Sequence, residues 1–157
     1  MDFRLAPEHP HPAQLDDAET AYRWLLSQGY EPQNIGSTGH SIGGSLAVLL
    51  PLRLLAQGEP TPGAIITISP WTDLTIQNPT MDTNADKDIT LTRQALELFR
   101  SVLLQDPALD PADPTISVLY ADLTGLPPTA LFYGDYEILA GEDAEFGQRL
   151  SGHSTAH

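Results

Sequence analysis

Apolar positions along this chain alternate between a helical and a strand-like period. From Pro12 to Gln28, residues Leu15, Ala18, Tyr22, Leu25 and Leu26 recur at three- and four-residue intervals, which predicts an amphipathic helix. Asp16, Asp17 and Glu19 fall early in it, where carboxylates favour a helix start, and Gly29 supplies the stop. Asn34 to Thr38 reads as a short strand, more from its position than from its composition. From Gly43 to Gln57 the apolar residues run nearly all round, so a buried helix is expected there, ended by Gly58. Pro51 falls inside it and should remove an internal hydrogen bond and kink the axis.

Gly63 to Ser69 carries Ala64, Ile65, Ile66, Thr67 and Ile68, a continuous β-branched run of the kind found in strands buried on both faces. Thr129 to Tyr133 is similar. A long excursion separates the two. It comprises an Asn- and Asp-rich stretch from Gln77 to Asp88, a helix from about Thr90 to Leu104, and an Asp- and Pro-rich region from Asp106 to Pro114. Excursions of this length between buried strands usually carry function or cover something. A last amphipathic segment spans Glu142 to Leu150. This order predicts an α/β fold: right-handed βαβ units around a parallel sheet, with ligands beyond the carboxyl ends of its strands.

Composition narrows the function. A chain of 157 residues with 41% apolar and 18% charged positions can bury a core and is not of the disordered type. Its net charge is -14, and its seven lysines and arginines are scattered from Arg4 to Arg149, which argues against nucleic acid and anionic membrane surfaces as partners. The absence of cysteine removes disulfides, thiolate metal sites and cysteine nucleophiles. No apolar run approaches the ~18 residues of a membrane span, and the acids and prolines of Met1 to Pro10 are unlike a signal peptide. A cytoplasmic location is the resulting expectation.

The sharpest chemical signal is Gly39-His40-Ser41-Ile42-Gly43-Gly44, a G-x-S-x-G match between a predicted strand and an apolar helix. Small residues at both motif glycines would let the chain turn tightly enough to present the Ser41 hydroxyl. The following helix would offer its N-terminal dipole and the Ile42 N–H to a developing oxyanion. Asp106, Asp110 and Asp113 have no EF-hand spacing and are interrupted by prolines, so no metal is expected.

Asp2-Phe3-Arg4-Leu5-Ala6-Pro7-Glu8-His9-Pro10 resembles the "YRLAPEHP" signature of the fold-3 branch of the α/β-hydrolases, the hormone-sensitive-lipase-like esterases. Three further stretches match in order: GHSIGG, Ser69-Pro70-Trp71-Thr72-Asp73-Leu74, and Leu126-Pro127-Pro128-Thr129 leading to Tyr133-Gly134-Asp135-Tyr136-Glu137-Ile138-Leu139. The resemblance implies a partial α/β-hydrolase fold over residues 1–157, incomplete at both ends, with a cap-like excursion at about 75–115. It implies a serine hydrolase for small carboxylic esters, without cofactor or metal. Ser41 would be the nucleophile and the Ile42 N–H an oxyanion donor. The triad acid would be Glu137, three residues after the glycine that ends the strand, or alternatively Asp135. Trp71 and Asp73 would brace the strand end.

Two parts of the family pattern have no match. An HGGG-like oxyanion loop should precede the "YRLAPEHP" stretch, and a histidine should follow the acid after one more helix and strand. His153 and His157 follow Glu137 too closely for both elements, His40 points away from Ser41 at an elbow, and His9 and His11 sit in the signature loop. The alternative reading is therefore a catalytically inactive fragment or an interaction module. The same gaps would leave both sheet edges exposed, with self-association as a consequence.

Overall fold

The computed structural model describes residues 1–153. Helix α1 (Ala13–Ser27) leads to strand β1 (Gly36–His40), helix α2 (Ile42–Ala56) and strand β2 (Ala64–Ile68). The excursion follows with short helix α3 (Thr80–Thr83) and helix α4 (Arg93–Leu103), then strand β3 (Thr129–Phe132) and helix α5 (Ala140–His153). The strands form a parallel sheet in the order β1-β2-β3, with Thr38 beside Ile66 and Ile66 beside Ala130. Within this sheet β1 and β3 are the outer strands, as the motif reading anticipated.

The covered face of the sheet meets α2 and α5 through the alternate residues Ser37, Gly39, Ile65, Thr67 and Leu131. The Ser37 hydroxyl bonds the Ala47 carbonyl, Cβ atoms added at Gly39 and Gly44 would meet Gly43 and Thr67, and one added at Gly147 would meet Leu131. Val48, Leu54, Ile65, Val118 and Phe146 are fully buried in this core, together with Leu15 and Tyr22 of α1. Burying each such side chain is worth about 1.5–3 kcal/mol.

The expectation that β2 is buried on both faces is corrected. Ile66 and Ile68 are 46% and 43% exposed, and neighbouring Phe132 of β3 is 59% exposed. None of the helices α1, α2 or α5 lies over that face; the continuous apolar run marks a strand made to be covered twice, and the described chain covers it once. The predicted first strand also shifts toward the elbow, from 34–38 to Gly36–His40.

Pro51 lies buried within α2, which runs on from Ile42 to Ala56. The missing Pro51 N–H would have donated to the Ala47 carbonyl, four residues earlier. That carbonyl accepts the Ser37 hydroxyl at 2.9 Å instead, so β1 satisfies the group that the proline orphans.

A second apolar cluster joins Trp71, Leu74, Ile76, Met81, Leu96, Ile116, Ile138 and Leu139, with Ile42 and Leu91 packed against it. It seats the excursion on the loops beyond the carboxyl ends of the strands. Thr92 caps α4 by accepting the Ala95 N–H. The first residues are tied down as well: Arg4 makes a forked ion pair with Asp17, Gln14 donates to the Arg4 and His9 carbonyls, and the His11 N–H donates to Leu103 of α4. Asp106, Asp110 and Asp113 each accept a backbone N–H two residues on, closing their own turns. Among the described residues no helix is long and apolar enough to cross a membrane.

Candidate active site

Ser41 stands at the junction of β1 and α2 with φ 54° and ψ -127°, a backbone conformation that non-glycine residues rarely adopt. Hydrogen bonds on both sides hold it there. The Ser41 N–H donates to the Ile68 carbonyl at 3.0 Å, and its carbonyl accepts from the N–H groups of Gly44, Ser45 and Trp71. Ser45 donates its hydroxyl to the Trp71 carbonyl, and the Trp71 indole donates to Asp73, so the segment after β2 braces the elbow as expected.

The tightness of the turn rests on two glycines, of which only one belongs to the expected pair. A Cβ at Gly39 would collide with the Gly43 carbonyl, and one at Gly44 would lie 2.6 Å from Thr67 Oγ1 and 3.0 Å from Pro70. A Cβ at Gly43 would meet nothing within 4 Å. The elbow needs Gly39 and Gly44; Gly43 contributes a carbonyl that must be approached closely.

Although Ser41 occupies the N-cap position of α2, its hydroxyl does not cap the helix. Ile42 is the first helical residue, so its N–H has no carbonyl one turn earlier to donate to. A free hydroxyl and a free N–H thus sit side by side at the positive end of a helix dipole.

Continuing the sheet register past the strand ends places Ser41 beside Ser69, and Ser69 beside Tyr133. The Ser69 N–H donates to the Phe132 carbonyl at 2.7 Å. The elbow and the loop after β3 are therefore two strand spacings apart, about 10 Å at the backbone, with room for one side chain between them. Glu137 sits in that loop. Its Oε1 accepts the Ser69 hydroxyl at 2.9 Å and the Gly134 N–H at 3.1 Å, while Oε2 has no hydrogen-bond partner among the described residues. The Asp135 carboxylate is exposed; only its backbone carbonyl is engaged, by Asn84.

The side chains of His9, His11 and His40 make no hydrogen bond to Ser41 or Glu137. His40 is exposed and belongs to the uncovered face of the sheet. His9 and His11 belong to the signature loop, where burial pushes the His11 imidazole below its ordinary range. His153 is the last residue of α5, and His157 lies outside the described residues.

Several residues of this region were given no role by the motifs, although Ser69 opens one of the matching stretches. Ser69, with φ 41°, presents its hydroxyl to Glu137. Asn84 and Asp88 of the excursion hold the loop that carries Glu137. Their only signal in the sequence is the Asn- and Asp-rich composition of 77–88. Glu142 and Asp143, in the first turn of α5, are completely buried. Glu142 Oε1 accepts the N–H groups of Thr72 and Asp73, and burial pushes its carboxyl up to about 8. Burial, with Glu142 and Glu137 nearby, pushes Asp143 up to about 9.

A family model for the alpha/beta hydrolase fold matches residues 1–156. The chain belongs to the α/β-hydrolase family. An esterase from Acinetobacter venetianus is 39% identical over 149 residues, covering 95% of this chain and 49% of that protein. An acetyl-hydrolase from Streptomyces hygroscopicus is 37% identical over 139 residues, covering 88% of this chain and 46% of its own length. The crystal structure of an esterase from the bacterial hormone-sensitive lipase family superposes with a TM-score of 0.92 at 38% identity, over 97% of this chain and 50% of that one. This α/β-hydrolase chain spans about half the length of the relatives it matches.

Proposed function

We propose that this α/β-hydrolase chain carries the nucleophile and the acid of a serine hydrolase acting on small carboxylic esters. The observation that carries the reading is the elbow: Ser41 is held at φ 54° with a free hydroxyl, beside the free Ile42 N–H at the head of α2. The esterase relatives support the choice of substrate class.

Ser41 Oγ attacks the ester carbonyl while a base takes its proton, and the carbonyl oxygen becomes an oxyanion that accepts from the Ile42 N–H. Collapse expels the alcohol and leaves an acyl group on Ser41, which water then hydrolyses by the same route. The family pattern calls for an imidazole base between Ser41 Oγ and Glu137 Oε2, a place that His9, His11 and His40 do not fill. Glu137 suits the acid position because one oxygen is anchored by Ser69 and Gly134 and the other is open to an imidazole N–H. Asp135 has no comparable anchor.

A second reading, a module of the same fold without turnover, is favoured because none of His9, His11 and His40 bonds Ser41 or Glu137. The two are separated by p-nitrophenyl acetate and butyrate hydrolysis with the purified chain and with Ser41→Ala. Turnover that falls to the uncatalysed rate in Ser41→Ala establishes the nucleophile; equal rates in the two proteins would remove it.

A further inference from the structure

We propose that Asn84 and Asp88, on the excursion between β2 and β3, are positioning residues that set the place of the Glu137 carboxylate. The inference rests on reading Glu137 as the acid. Three backbone groups of the loop Asp135–Ile138 are held from this one segment. Asn84 Nδ2 donates to the Asp135 carbonyl at 3.1 Å and to the Glu137 carbonyl at 2.8 Å. Asp88 Oδ2 accepts the Ile138 N–H at 2.9 Å. The backbone is thus gripped at Glu137 itself and on both sides of it.

The clamp is itself ordered. Asn84 is buried, and its amide oxygen accepts from Lys87 Nζ at 3.0 Å, which turns the Nδ2 donors toward the loop. Asp88 Oδ1 accepts from the Thr90 N–H, the Thr90 hydroxyl and the Leu91 N–H, leaving Oδ2 for Ile138. Burial disfavours the Asp88 anion, but these hydrogen bonds outweigh it and hold the carboxyl below its ordinary range. The bond to Ile138 is therefore charge-assisted, about twice as strong as a neutral one.

Neither Asn84 nor Asp88 bonds the Glu137 carboxylate; both act through its backbone. The carboxylate's own contacts, to Ser69 and the Gly134 N–H, hold only while the Glu137 backbone stays in register with the ends of β2 and β3. A displacement of about 1 Å at a catalytic group costs on the order of 100-fold in rate. The excursion therefore sets the geometry of the acid as well as packing over the strand ends.

The test is nuclear magnetic resonance on the full chain, comparing the unaltered protein with Asn84→Ala, Asp88→Asn and Glu137→Gln. The Gly134 N–H donates to Glu137 Oε1, so that amide is protected from exchange while the carboxylate stays in place. In Asn84→Ala and Asp88→Asn the Gly134 and Ile138 amides should both exchange roughly 10-fold faster or more. Asp88→Asn is nearly isosteric and keeps an oxygen for Thr90 and Leu91, so the Thr90 amide should stay protected and the fold intact. Unchanged protection of the Gly134 amide in both variants would overturn the clamp. Ester turnover separates the two levels of inference. If Glu137→Gln hydrolyses p-nitrophenyl acetate as fast as the unaltered chain, the acid reading fails, whatever Gly134 does. If Glu137→Gln is impaired, the clamp variants should lower kcat with KM unchanged.

Discussion

The elbow at Ser41 and the loop of the proposed acid Glu137 are built by opposite means. Ser41 is held almost entirely by its own neighbourhood: a glycine two residues before, a helix beginning one residue after, and backbone bonds to the adjoining β2 and the turn that follows it. Glu137 has a short local turn to Gly134, but its backbone is gripped by side chains about 50 residues away in sequence. The strained turn at Ser41 is signalled within six residues, Gly39 to Gly44, because the strand before it and the helix after it are adjacent in the chain. Orientation of an acid on an irregular loop needs outside anchors.

The largest effect should come from breaking the local device. In Gly39→Ala the new methyl has to enter the space of the Gly43 carbonyl, which is backbone and cannot rotate away. We expect a loss of about 3 kcal/mol or more, read as a drop in the urea midpoint. A midpoint within experimental error of the unaltered chain would mean that the elbow is looser than its geometry.

An intermediate effect should appear on the acid side with pH. Glu142 and Asp143 are raised to about 8 and about 9, whereas unfolded carboxyls titrate near 4. Between those values the folded chain binds more protons than the unfolded one, so stability falls as pH rises from about 4 toward 9. The thermal midpoint of Asp143→Asn should fall less steeply over that range, since one of the two titrations is gone. An identical slope would show that Asp143 is ionised within the fold.

The smallest effect sharpens the elbow. Gly43→Ala adds a methyl that meets nothing within 4 Å at the second residue of α2, so it should be neutral or stabilising by up to about 1 kcal/mol. A destabilisation as large as that of Gly39→Ala would show that both motif glycines are needed sterically.

Much of the fold was readable because its signals are periodic. The helical spacing of Leu15, Ala18 and Tyr22 and the β-branched run at 64–68 each correspond to an element, displaced at the ends by a residue or two. The family resemblance pointed to Glu137, with Asp135 as the alternative, and the G-x-S-x-G match pointed to Ser41. The residues that hold Glu137 could not, because Asn84 and Asp88 look like ordinary polar loop positions until the chain brings 84–88 against 135–138. Nor does the amphipathic period at 142–150 reveal that the two acids at its start, Glu142 and Asp143, are buried.

By itself the sequence determined the elbow and the parallel βαβ order, since these depend on short spacings and on the period of apolar residues, and its ordered motifs carried the resemblance to the family. Only the tertiary structure decided that the Pro51 gap in α2 is filled by Ser37, that one face of β2 stays open, and that the excursion grips the loop at 135–138. Each of those depends on which distant groups meet. A hydrogen bond between residues 50 apart leaves no periodic trace in either partner's own segment.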